Sequence, residues 1–102
     1  IRALRKQGRR TDAYYLAADY FNQEPGNKWA RLGLAWCYYD SLKSKVLTDD
    51  FDTFIEELDK LKGLNIEESN KMFYQTISLP IGLLFQRMSK QKRISYEQRP
   101  IT

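Results

Sequence analysis

The sequence predicts an all-α protein of five to six antiparallel helices. Three observations carry that prediction. The 102 residues hold only 5 Gly and 3 Pro, at separated points, which leaves stretches too long for a meander of short strands. Within those stretches the apolar residues recur at three-and-four spacing, the mark of one buried stripe on a helix. The breaks at Gly8, Pro25-Gly26 and Gly63-Leu64 are short, so consecutive helices must lie side by side. A 42% apolar fraction fills a core for one small domain, and 29% charge keeps its outside in water.

The first helix spans residues 1–7 and closes at Gly8, which tolerates a left-handed helix end. It has no cap before it, as expected of a piece of a longer protein. Thr11 is the expected cap of the second helix, which runs to Gln23 with a stripe of Ala13, Leu16, Ala17, Tyr20 and Phe21. Asn27 is placed to cap a third helix ending at Lys45 or Leu47. Trp29, Leu32, Trp36, Tyr39 and Leu42 recur along it, with Ala35, Cys37 and Tyr38 between them. A helix apolar over so much of its circumference is covered on more than one side.

Thr48 or Asp49 opens the fourth helix, with acids in the turn where the helix dipole favours them. Phe51, Phe54, Ile55, Leu58 and Leu61 form its stripe, and Gly63 ends it. Asn65 and Glu68 have the spacing of a capping box for a fifth helix, with Met72, Phe73 and Ile77 on its inner face. Pro80 either kinks that helix or starts a new one capped by Ser78. Ile81, Leu84, Phe85 and Met88 carry the helical spacing on to about Lys90. The helical domain is therefore expected over 1–90, with a polar basic tail over 91–102.

Charge is segregated behind a net +4. Arg2, Arg5, Lys6, Arg9 and Arg10 open the chain without an acid, and Lys90, Lys92 and Arg93 stand near its end. Residues 48–68 carry eight acids against Lys60 and Lys62. Such ends can meet nucleic-acid phosphates, although solvated helix faces explain most charge runs. Several function classes lose their usual residues. Without His, most hydrolytic triads and the commonest metal ligand are missing. No Gly-rich phosphate loop, paired CxxC, nucleophile motif or calcium loop is present. The lone Cys37 reads as a small core residue and fits a reducing, cytoplasmic setting. No apolar run reaches the roughly 20 residues of a membrane span. No enzyme activity and no cofactor are expected.

Gly8-Arg9-Arg10-Thr11-Asp12-Ala13 resembles the turn into the second helix of a tetratricopeptide repeat, and Pro25 falls at that repeat's closing proline. Leu34-Ala35 and Tyr38 fall where the next repeat wants Leu, a small residue and Tyr. Two departures stand out. Ala17 replaces an expected aromatic, and the second Gly-to-Ala turn is missing near Leu42 and Leu47. Residues 1–41 match best and 42–90 diverge. A narrower resemblance is carried by Leu34-Ala35-Trp36-Cys37-Tyr38-Tyr39-Asp40-Ser41-Leu42-Lys43, the acidic helix after it, and Met72-Phe73-Tyr74. This run is similar to helical regions of bacterial conflict-system proteins, which carry such helices beside a cold-shock-like nucleic-acid domain. No β-rich domain lies within these residues.

The resemblance implies a right-handed solenoid that serves as a protein-interaction scaffold. The third helix would line its concave groove with Trp29, Leu32, Trp36, Tyr39 and Asp40. The same aromatic stripe is more often the pattern of a core. A protein or peptide partner, or a second copy, is the expected occupant. Nucleic acid, met by Arg2, Arg5, Lys6, Arg9, Arg10, Lys90, Lys92 and Arg93, is the alternative.

Overall fold

Residues 1–88 and 94 are described in a computed structural model of the chain. Helices form wherever the apolar spacing demands them, and the described residues contain no strand. In order they are α1 (Arg2–Lys6), α2 (Arg10–Gln23), α3 (Lys28–Thr48), α4 (Phe51–Lys62), the single turn α5 (Ile66–Ser69) and α6 (Lys71–Gln86). The radius of gyration is 14.1 Å, close to the roughly 13 Å of a compact domain of this length. None of these helices is long and apolar enough to cross a membrane.

The arrangement is built around α3. It packs against α2, α4, α5 and α6, while α1 lies on α2 and reaches α3 through its ends. This is why its apolar residues occupy most of its circumference. Ala30, Leu32, Leu34, Ala35, Cys37 and Leu42 are all buried, on several sides of one helix. Small residues set the spacing. Ala13 and Ala17 of α2 are fully enclosed and bring α2 close to α3. Gly33 faces Ile1, whose Cδ1 would lie 3.2 Å from any added Cβ, so α1 seats there without clash. On the far side Phe54, Ile55, Leu58 and Leu61 of α4 meet Ile77 and Leu84 of α6 in the same core.

Several helix boundaries differ from the sequence reading, and each has a local cause. Thr11 lies inside α2, because Arg9 takes the cap position and its guanidinium bonds Asp12 at 2.9 Å. Asp49 ends α3 in the left-handed conformation, which short polar side chains tolerate, so neither it nor Thr48 opens α4. Asp50 does, accepting a hydrogen bond from the Thr53 N–H. Gly63 stays right-handed at the end of α4, and Asn65 takes the positive φ of 53°. That conformation turns Asn65 away from capping, and the expected capping box with Glu68 does not form. Instead α5 stops after one turn and Asn70 caps α6 through the Phe73 N–H. Pro80 sits inside α6, which continues through it. Ser78 is therefore no cap, and its hydroxyl donates to the Gln75 carbonyl.

Two apolar expectations also change. Leu16 is half exposed and Met72 is 79% exposed. With one alanine per turn touching α3, the buried face of α2 is narrow. Met72 lies in the first turn of α6, beside Phe73, which packs inward. The expected end of helix at Lys90 and the tail over 91–102 lie outside the described residues, apart from exposed Ile94.

Candidate functional site

The groove residues predicted on α3 separate into three environments. Trp29 stands in the first turn, whose start Asn27 fixes by accepting hydrogen bonds from the Trp29 and Ala30 N–H groups at 2.8 and 3.4 Å. Its side chain is 62% exposed, and the Lys28 ammonium lies 5.1 Å from the ring centroid. One turn on, Leu32 is enclosed in the core, so it offers no groove surface. The cause is the central position of α3, which turns the Leu32 face into the interior.

Trp36, Tyr39 and Asp40 form the third environment, a polar and aromatic seam. Trp36 meets Tyr39 edge-on at 5.7 Å and Phe73 of α6 at 5.3 Å. The Arg5 guanidinium of α1 lies 4.9 Å from the centre of the same ring. Arg5 also forks onto Asp40, with Nε donating to Oδ2 at 2.6 Å and Nη2 to Oδ1 at 3.0 Å. That hydrogen bond raises the Arg5 pKa beyond its already high value, against the opposing effect of burial. Asp40 is only 8% exposed. Lys43, one turn along α3, approaches Asp40 at 3.7 Å and stands over Tyr39 at 5.1 Å. Asp40 is thus an anchor for α1, with its carboxylate already occupied by Arg5.

The basic residues at the start of the chain do not act as one group. Arg9 turns to the exposed pair with Asp12. Arg2, Arg5, Lys6 and Arg10 line one cleft between α1 and the C-terminal half of α3, with a volume of about 470 Å³. Sequence reading missed Lys43, which completes this cleft. Its signal was present, since Lys43 is three residues from Asp40 and four from Tyr39, on one helix face. Lys90, Lys92 and Arg93 lie outside the described residues.

A second cavity of about 330 Å³ opens between α2, α3 and α4. Glu57 borders it, accepting from the Ser41 hydroxyl at 2.8 Å. Tyr14 and Tyr38 pair beside it with ring centres 6.0 Å apart. Burial first, and then the Tyr14 neighbour, push the Tyr38 hydroxyl up to about 12. Burial likewise pushes the Cys37 thiol up, with Arg5 partly opposing it. The described residues contain no group of three or more His, Cys, Asp or Glu placed to hold a metal.

Of the predicted groove and basic residues among those described, Trp29 and the cations of the cleft reach outward. No protein family, curated protein or solved structure matches this chain.

Proposed function

We propose that the chain is a non-catalytic interaction scaffold of tetratricopeptide type, binding a protein or peptide at the Trp29 end of α3. One observation carries the reading. The helix that packs against the most neighbours among the described residues presents a tryptophan to solvent in its capped first turn. A large amphipathic ring held on a fixed backbone has the character of a binding hot spot. The packing order supports the repeat assignment. With α1, α3 and α6 as inner helices and α2 and α4 as outer ones, the packing of α3 on α2, α4 and α6 and the place of Arg5 over Trp36 are in keeping with such an order. Neighbouring Arg31 donates to the Pro25 carbonyl at 2.9 Å, which stiffens the turn beneath the tryptophan.

The test is selection of binding peptides from a displayed library with the intact chain, followed by affinity measurement with Trp29→Ala. Truncation should leave the helical circular dichroism intact and weaken the selected peptides by about 2 kcal/mol, the size of a hot spot. Unchanged affinity would move the site elsewhere. Loss of helix would make Trp29 part of the core.

A further inference from the structure

We infer that the cleft between α1 and the C-terminal half of α3 binds the phosphodiester backbone of nucleic acid. The inference is independent of the Trp29 reading. Lys43 lies 14 residues from Trp29 on one helix, or about 21 Å at 1.5 Å per residue.

The lining is the first argument. Three arginines and two lysines face the space, and Asp40 is the only acid lining it among the described residues. Asp40 is neutralised by the Arg5 fork, so Arg2, Lys6, Arg10 and Lys43 dominate the field. Arg5 is a fixed wall, with its guanidinium held by Asp40 and stacked on Trp36. Lys43 has half of its side chain exposed, a long contact to Asp40 and a place over the Tyr39 ring. Arg10 touches the Asp40 carbonyl at 3.5 Å, a weak bond that a phosphate oxygen would displace.

The second argument is what the lining lacks. Leu47 is its only large apolar residue among those described. A peptide would find almost no pocket for a hydrophobic anchor, whereas phosphates need only charge and fork-shaped donors. The described lining also holds no aromatic ring. Bases would have nothing to stack on, so recognition would be of the backbone and tolerant of sequence. Overall charge agrees, since a chain of net +4 attracts polyanions before contact.

Fluorescence anisotropy with a labelled single-stranded DNA of mixed sequence tests the inference. Four phosphate contacts give a log–log salt slope of about −2.8, so affinity should fall about fiftyfold between roughly 50 and 200 mM salt. Arg2→Gln with Lys43→Gln removes two contacts, and the slope should drop to about −1.4. Both positions are exposed, so the double variant should keep its helical signal. Lys60→Gln with Lys62→Gln makes the same change of net charge on α4 and should leave the slope near that of the unaltered chain. The inference is overturned if the α4 variant loses as much slope as the cleft variant. It is also overturned if no binding is seen at low salt, or if polyglutamate of equal charge competes as well as unlabelled DNA. That last result would make the cleft a site for acidic protein segments.

Discussion

Where α1 meets α3, the contact is made by charge: Arg5 forks onto Asp40 and lies against Trp36. Where α4 meets α6, it is made by carbon: Phe51 and Phe54 pack on Phe85 with ring centres 6.3 and 6.4 Å apart. Length explains the difference. With five residues, none fully buried, α1 offers the core only the partly buried Leu4 beside Ile1, and a helix so short is not stable alone. A bidentate ion pair fixes its position and register with one side chain. By contrast, α4 buries five apolar residues over twelve and needs no such device. The charged seam is thus specific but vulnerable at one point, and the carbon seam shares its contact among the rings of Phe51, Phe54 and Phe85.

The largest effect should come from the carbon seam. Phe54 is fully enclosed, and Phe54→Ala should cost about 3–5 kcal/mol from lost burial and the cavity left behind. Small domains have about 5–15 kcal/mol in total, so urea melting should show a large fall in midpoint. A loss below about 1 kcal/mol would mean that the core around α4 closes over the gap, and the contrast between the seams would weaken.

Breaking the charged seam should cost less and behave differently. Asp40→Ala leaves Arg5 facing the core without its partner, while Arg5 keeps 22% of its side chain exposed. About 2 kcal/mol is expected, below the range for fully buried pairs because of that exposure. The double change of Arg5→Met and Asp40→Leu removes both charges and should recover most of the loss. Recovery would show that the single change is costly because a charge is stranded. If the double variant is as unstable as Asp40→Ala, the fork itself supplies the stability and the seam is stronger than its exposure implies.

The carbon seam was legible in the sequence and the charged one was not. Phe51, Phe54, Ile55, Leu58 and Leu61 were predicted as one buried stripe, and all five are buried. Burial follows from spacing alone on an amphipathic helix. The third helix was correctly expected to be covered on several sides, yet which of its aromatics remain exposed depends on neighbours. Trp29 and Trp36 stand seven residues apart on one face, and only Trp36 is reached by Arg5 and Phe73. The Arg5–Asp40 pair joins residues 35 apart, beyond any local pattern, and Asp40 was read as groove rim. The cap of α4 was missed because two Asp residues competed for it. Asp49 and Asp50 are adjacent, and backbone conformation decided between them. The cleft needed α1 folded back on α3 before Lys43 could join Arg2, Lys6 and Arg10.

The smallest expected effect separates the two halves by pH. Tyr38 of α3 is partly enclosed beside Tyr14, and its hydroxyl is raised from 10.0 to about 12. For an acid raised by burial, the folded state favours the protonated form. Between pH 10 and about 12 the unfolded chain has lost the Tyr38 proton and the folded chain still holds it. Stability from this group is therefore complete below pH 10 and is lost as pH rises through about 12. Lysines also titrate in that range, so the informative quantity is the difference from Tyr38→Phe. Urea midpoints of the intact chain should fall more steeply above pH 10 than those of Tyr38→Phe. Phe54→Leu, in the carbon seam, should keep the steeper slope at a lower overall stability. Parallel slopes for the intact chain and Tyr38→Phe would mean that water reaches the hydroxyl freely, and that the α2–α3 contact is no more sensitive to pH than the phenylalanines of α4 and α6.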